Sequence, residues 1–376
     1  MDIRTAGTSE DEQMSIDAWR RARPYVQWVD SLGLPIYRGY YIPNLKTLPL
    51  GRWDARDCDV AFLQLAGQGG VSEARVTEIA PGQTLPPVRF ALDEIVYVVD
   101  GRGLSTVWTG DHPKVTFEWQ KRSMFLLPRN HWYQLSNVQG TQPVRLLHCN
   151  YLPTAMTTIP DADYFFSDPY EDSARLYKAD GSFYAQAQSI SRAGTRYGTW
   201  SGNFFPDLLA WDRLNTSGNR GAGGHRVSFH LPESPITCHM SIFPSKTYKK
   251  AHRHGPGFVI VIPGGEGYSV MWLEGREKVF VPWHEGSVFV PPDRWFHQHF
   301  NVGPTPARYL ALHPPELLSG LFEGRVPRED QIEYTVEDSI IRERFAGELG
   351  KRGLTSLMPE QCYVDPTYQW NYEEEE

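Results

Sequence analysis

Three histidines carry the most chemical information in this sequence. His252 and His254 are separated by one residue, and His297 follows 43 positions after the second. Residues two apart on a strand project to one face, so His252 and His254 point together, and a neighbouring strand bearing His297 adds a third imidazole. Three such nitrogens form an open metal site, with positions left for water, substrate or dioxygen. A lone histidine would read as an ordinary core or surface residue. A His-x-His pair with a distant third, in a chain that places nine of its twelve histidines beyond residue 224, favours a metal. His299 shares the face of His297, either as a proton shuttle and orienting partner or as a buried hydrogen-bonded side chain. Tyr248 and Lys250 share strand parity with His252 and are expected in the same interior if the strand is regular. Lys250 would then hold a substrate carboxylate, or else sit at a solvated strand end. Arg253 alternates outward. Arg294 and Trp295, in the turn before His297, suit either a rim contact with substrate or packing. Ile236, Cys238, Met240 and Ile242 read as an inward set, which turns His239 away from the metal.

The elements that must position these residues are strands. Gly101 to Trp108 matches Gly265 to Trp272 at an offset of 164, and the same offset pairs Trp119 with Trp283, Ser123 with Ser287, Pro128 with Pro292 and Asn137 with Asn301. A gapless match through several strands and turns marks two copies of one β-domain. Short β-branched and aromatic runs separated by Gly and Pro fill both copies, as expected of small antiparallel barrels. At the ligand positions the first copy has Val88, Phe90 and Tyr133, with Glu94 opposite Phe258. Val and Phe bind no divalent ion, so the metal is expected in the second copy alone.

Two motifs here resemble those of the cupin superfamily. One is His252-Arg-His254 followed by Gly265-Glu-Gly267, with Phe258 where the family's Glu usually stands. The other is Gly286-Ser-Val-Phe-Val-Pro-Pro292 leading to His297 and Asn301, with Arg294 in place of the inner Gly. The resemblance covers roughly 80–145 and 236–313 and implies an all-β bicupin, two jelly-roll β-barrels with N- and C-terminal helical extensions. The expected division is 1–55 as an N-terminal helical arm and lead-in, 56–152 as a metal-free cupin, 153–235 as an irregular insert, 236–315 as the metal-binding cupin and 316–376 as a C-terminal helical extension with an acidic tail. The text around the ligands is similar to gentisate 1,2-dioxygenase and its salicylate and hydroxynaphthoate relatives, in which the metal usually occupies the first cupin. That likeness implies a three-histidine Fe(II) dioxygenase. Mn, Ni, Co and Zn also suit the ligand type.

Three neutral imidazoles leave a divalent charge uncompensated, which suits a small anionic substrate binding through its oxygens, with O2 as co-substrate. Such a reading places Arg294, Trp295 and Phe258 around the substrate and His299, Lys250 and Tyr248 in the chemistry. A non-oxidative lyase, decarboxylase or isomerase using Lys250 or Tyr248 as acid or base stays open, as does a binding bicupin without turnover. The 376 residues carry a formal charge of −8, four of the acids being the terminal run Glu373 to Glu376, which argues against nucleic-acid or anionic-membrane partners. Thirteen per cent aromatics, 33 Gly and 29 Pro argue against a helical bundle. Four dispersed cysteines and a start without an apolar signal stretch lead to the expectation of a soluble cytoplasmic protein, and exposed strand edges to that of a homo-oligomer, dimer or tetramer.

Overall fold

The computed structural model describes residues 23–110, 112–166, 182–190, 198–211, 221, 224–232, 234–314 and 328–368. Each copy of the repeat folds as two facing sheets. In the first, the strands Cys58–Leu65, Glu73–Ile79, Val144–Asn150, Glu94–Asp100 and Met124–Leu127 lie side by side; the smaller sheet runs Val88–Arg89, Trp132–Asn137, Arg102–Trp108, Val115–Gln120. The second repeats this order with His225–His230, Thr237–Phe243, Ala307–His313, Val259–Gly264 and Val288–Phe289, facing Ala251–His252, Phe296–Asn301, Glu266–Trp272 and Val279–His284. Strand structure therefore begins inside the stretch read as irregular. There Gly198–Ser201 pairs in parallel with His225–His230, which extends the second barrel's larger sheet.

The Gly-x-Gly of the repeat has the same physical basis in both copies. Gly101 and Gly265 sit at φ 92° and 96°, where a side chain is strained. At Gly103 an added Cβ would collide with the Ser136 carbonyl and the Trp119 ring, and at Gly267 with the Phe300 carbonyl and the Trp283 ring. The tryptophan of each copy lies across its glycine and donates to a buried serine, Trp119 to Ser105 at 2.9 Å and Trp283 to Ser269 at 3.0 Å. Asn137 and Asn301 each donate to three backbone carbonyls at the end of a strand, which makes them fold residues.

The two larger sheets pack face to face. Ala61, Leu63, Val76, Ile95 and Leu147 of the first barrel join Val227, Cys238, Met240, Val261 and Leu310 of the second in one buried core. Burying each Val, Leu, Ile or Met side chain among them contributes about 1.5–3 kcal/mol. Cys238, Met240 and Ile242 thus face the partner barrel, and His239 faces the interior of its own. The alternation was legible but its sense was inverted, because a sheet buried on both sides is apolar on its outer face too.

Edge strands are exchanged between the barrels. Tyr41–Ile42, in the lead-in to the first barrel, pairs with Val288–Phe289 of the second; Phe204–Phe205, before the second, pairs with Met124–Leu127 of the first. The residue after each is proline, and its carbonyl accepts from the matched serines, Pro43 from Ser287 at 2.6 Å and Pro206 from Ser123 at 2.7 Å.

A helix at Pro24–Ser31 buries Tyr25 and Val29 and sets Trp28 against Trp53, Phe62 and Phe166. Ser9 and Glu12, whose spacing is that of a capping box and predicts a helix start, lie outside the described residues. At the other end the helix runs Ser339–Gly350, with Asp338 capping Ile340 N and Ile341, Phe345 and Leu349 buried. The expected helical stretch before it is instead a turn at Arg328–Asp330 and a strand, Gln331–Ile332, which adds to the edge of Ala251–His252. Backbone pairing with that open edge outweighs local helical propensity.

Candidate metal centre

His252 ends its short strand directly opposite His297, and His254 turns back from the following loop onto the same pair. The imidazole centroids lie 4.1 Å (His252–His297), 4.7 Å (His254–His297) and 5.4 Å (His252–His254) apart, and all three rings are buried. One nitrogen from each falls within 4.8 Å of the others. Nδ1 of His254 faces the Gly255 carbonyl at 2.7 Å, and Nδ1 of His297 faces the Trp295 carbonyl at 3.2 Å. A ring nitrogen facing a carbonyl carries the proton, so in both rings Nε2 bears the lone pair, as a metal ligand must. The donor set therefore fits a divalent transition ion.

The walls of the cluster are aromatic and imidazole. Phe258, at the position of the family's Glu, lies 4.0 Å from the His254 ring and 4.4 Å from that of His313. His299 lies inside the barrel, 5.6 Å from His297, with Nδ1 2.8 Å from Ser269 Oγ. His239 Nδ1 meets His313 Nε2 at 2.7 Å, and Thr237 Oγ1 meets His313 Nδ1 at 3.1 Å. Burial, the Arg226 charge and His254 hold His313 well below the ordinary imidazole pKa, so it is neutral.

The structure does not bring Tyr248 and Lys250 to the histidines. Tyr248 pairs with Phe300, whereas His252 pairs with His297, so four residues on one strand span three on the other. This one-residue bulge inverts the parity between them. Tyr248 stacks on Phe300 and meets Tyr334 and Phe345 on the outer face, where its hydroxyl donates to Glu337. Lys250 pairs with Glu333 at 2.5 Å on that same side. Lys249, which the regular-strand reading overlooked, is the lysine that turns into the barrel, with Nζ 5.3 Å from the Phe243 ring and 5.2 Å from Tyr309.

Arg294 takes the left-handed conformation, φ 60°, that the family's Gly would supply. Asn130 at φ 59° does the same in the first barrel. The Arg294 guanidinium forks onto Asp330 at 2.6 and 2.9 Å, and Arg253 Nε joins at 2.7 Å. Asp330, held below the usual carboxylate pKa first by Arg294, ties the C-terminal strand to the metal motif. Trp295 packs on Tyr40.

In the first barrel Tyr133 pairs with Val88, reproducing the register of His297 and His252 without their donors. Register also aligns Glu73, Arg75, Glu94 and Asn150 with Thr237, His239, Phe258 and His313. One wall is thus polar in both barrels, ionic in the first and mostly imidazole in the second. Arg75 bonds to Glu73 and Glu94, and despite complete burial Arg75 and His148 bring Glu94 down to about 2.

No family model matches the sequence, and no curated protein matches it. Solved structures do resemble the fold. A salicylate 1,2-dioxygenase from Pseudoaminobacter salicylatoxidans, in its adduct with gentisate, aligns at a TM-score of 0.50 and 14% identity over 83% of this chain and 92% of its own. A further structure of salicylate 1,2-dioxygenase, from Pseudaminobacter salicylatoxidans, gives 0.49 at 17% identity, covering 72% and 79%. An oxalate decarboxylase from Lactobacillus farciminis, in a formate complex, gives 0.45 at 11% identity, covering 74% and 87%. The first of these likenesses shows the fold, all-β with two jelly-roll barrels.

Proposed function

We propose that this chain is an Fe(II)-dependent dioxygenase acting on a small hydroxylated aromatic carboxylate. The observation that carries the reading is the buried triad His252, His254 and His297, with two of its Nδ1 atoms committed to backbone carbonyls. Iron held by these three rings would supply the redox and Lewis-acid chemistry of oxygen insertion. No carboxylate of the chain is among the three ligands, which favours a substrate that brings its own anionic oxygens. Phe258 offers a flat apolar wall to an aromatic ring and helps keep water from the site. His299 is oriented by a relay. Trp283 donates to Ser269 Oγ, and we assign the serine hydroxyl as donor to His299 Nδ1, which puts the imidazole proton on Nε2 as a donor within the barrel. The lyase alternative needs Lys250 or Tyr248 as acid or base, and both lie on the outer face.

Metal analysis of anaerobically purified protein, followed by oxygen uptake with a panel of hydroxybenzoates, tests the reading. One iron per chain and uptake with at least one 2-hydroxybenzoate are expected. A metal-loaded protein that consumes no oxygen with any of them would reject the dioxygenase assignment. Replacing His297 by Ala should abolish metal retention; full occupancy in that variant would reject the site itself.

A further inference from the structure

We propose that the first barrel is a second ligand site, which binds a small hydroxylated carboxylate without a metal. The proposal stands apart from the iron reading, since its residues all belong to the first barrel. Where repeat symmetry would place a metal, Val88 and Tyr133 line a cavity of about 40 Å3. A water needs ~10–15 Å3 on this measure, so more than one polar group fits. The exposed Pro86 and the half-buried Trp53, Arg56 and Phe166 form its mouth, and the buried Arg75, Tyr133 and His148 its floor.

Two groups in this wall lack the partners their chemistry requires. His148 Nδ1 donates to Glu94 Oε2 at 2.7 Å, and burial lowers the imidazole pKa, so the ring is neutral and Nε2 is an acceptor. That Nε2 is buried and has no hydrogen-bond partner. Arg56 places its guanidinium 4.8 Å from the Phe166 ring and 5.5 Å from that of Trp53, and among the described residues it has no ion pair. Burial pushes its pKa down, and the Glu94 charge opposes this only in part. The nearby carboxylates bind away from the cavity. Glu73 and Glu94 hold Arg75, Asn150 Nδ2 donates to each at 3.0 Å, and neither acid lines the cavity. The cavity therefore presents guanidinium and an imidazole lone pair, which call for an anion and a hydroxyl donor on one molecule. Its hydroxyl enters the floor at His148, and its carboxylate meets Arg56 at the mouth, beside Trp53 and Phe166.

Calorimetry with 2-hydroxybenzoate as the probe tests this on the full chain carrying His297→Ala, which removes binding through the metal. One molecule bound per chain is expected. Adding Arg56→Gln should weaken binding about tenfold or more, because a charge-assisted pair is lost. Arg56 lies on a half-exposed turn, and the melting temperature checks that the variant folds. Benzoate, lacking the hydroxyl, should bind the chain with Arg56 intact about tenfold more weakly than 2-hydroxybenzoate. This comparison leaves Arg56 unchanged and decides the matter even if Arg56→Gln misfolds. No binding to the His297→Ala chain, unchanged affinity with Arg56→Gln, or equal affinity for the two acids would each overturn the proposal.

Discussion

The Trp–Ser hydrogen bond occurs in both barrels, but only the second sets a histidine against the serine. His299 stands where the first barrel has Leu135. His299→Leu therefore grafts the first barrel's residue into the second and removes one oriented donor beside the histidine triad. Iron content should be unchanged, and turnover of the hydroxybenzoate should fall by about 10²–10⁴, the span of a positioned proton donor. Equal turnover in the variant would show that His299 only packs. Gly267→Ala is the structural counterpart. Its Cβ has no space between the Phe300 carbonyl and the Trp283 ring, and overpacking of this kind costs about 1–3 kcal/mol, read as a lower urea midpoint. At this scale the sequence was informative wherever residue type alone limits chemistry. The histidine triad, its absence from the first barrel and the paired Trp, Ser and Asn positions could all be read in advance. Side-chain direction could not, because the bulge between Tyr248 and His252 leaves no mark on hydrophobic pattern, and so Lys250 stood in for Lys249.

At the scale of elements, the strand Gln331–Ile332 is the support behind His252. Asp330 fastens it through both Arg253 and Arg294, the residues immediately after one metal-ligand candidate and three before another. Asp330→Asn keeps the volume and removes the charge that holds two guanidinium groups. Such outer support typically tunes metal affinity by about 10–100-fold, so faster iron loss to a chelator is expected, with the fold intact by circular dichroism. The same segment carries a pH response. Burial raises the Glu337 carboxyl from 4.5 to about 7, against the opposing pull of its bonds with Tyr248 and Gln298. The folded form then binds more protons than the unfolded chain between these values, so the contribution of Glu337 to stability is lost as pH rises from 4.5 to 7. Hydrogen exchange of 331–350, corrected for intrinsic rates, should show falling protection over that range, and Glu337→Gln should flatten the slope. Equal slopes would exclude Glu337 as the cause. The four-residue spacing of Ile341, Phe345 and Leu349 is itself a helical signal. The strand before that helix takes its conformation from the edge it meets, which no local window contains.

At the scale of the molecule, the two barrels are related by a pseudo-two-fold arrangement that the 164-residue offset does not by itself disclose. Lys121 and Glu285 occupy equivalent positions and meet each other across it at 2.7 Å, with Lys46 on the same carboxylate at 2.9 Å. Hydrogen bonds from the two lysines hold Glu285 down at about 2 in spite of its partial burial. The exchanged edge strands make the association more than a contact between finished domains. The Tyr41-Ile-Pro and Phe204-Phe-Pro segments lie outside the repeat that the sequence discloses, and each lies before the barrel it does not join. A chain cut in two should therefore yield incomplete barrels. Residues 1–166 keep Tyr41–Ile42 with nothing to pair it to, and lack Phe204–Phe205; residues 182–376 have the reverse deficit. Each half also exposes a face of the shared apolar core, which is an aggregation hazard in a lone sheet. Expressed separately, the halves should be insoluble or strongly bind a hydrophobic dye. Co-expressed, they should elute together as a one-to-one complex and resist separation until the denaturant reaches the unfolding transition. Soluble, dye-silent single halves would mean that each barrel is self-sufficient and that the exchange of edge strands contributes little to its stability.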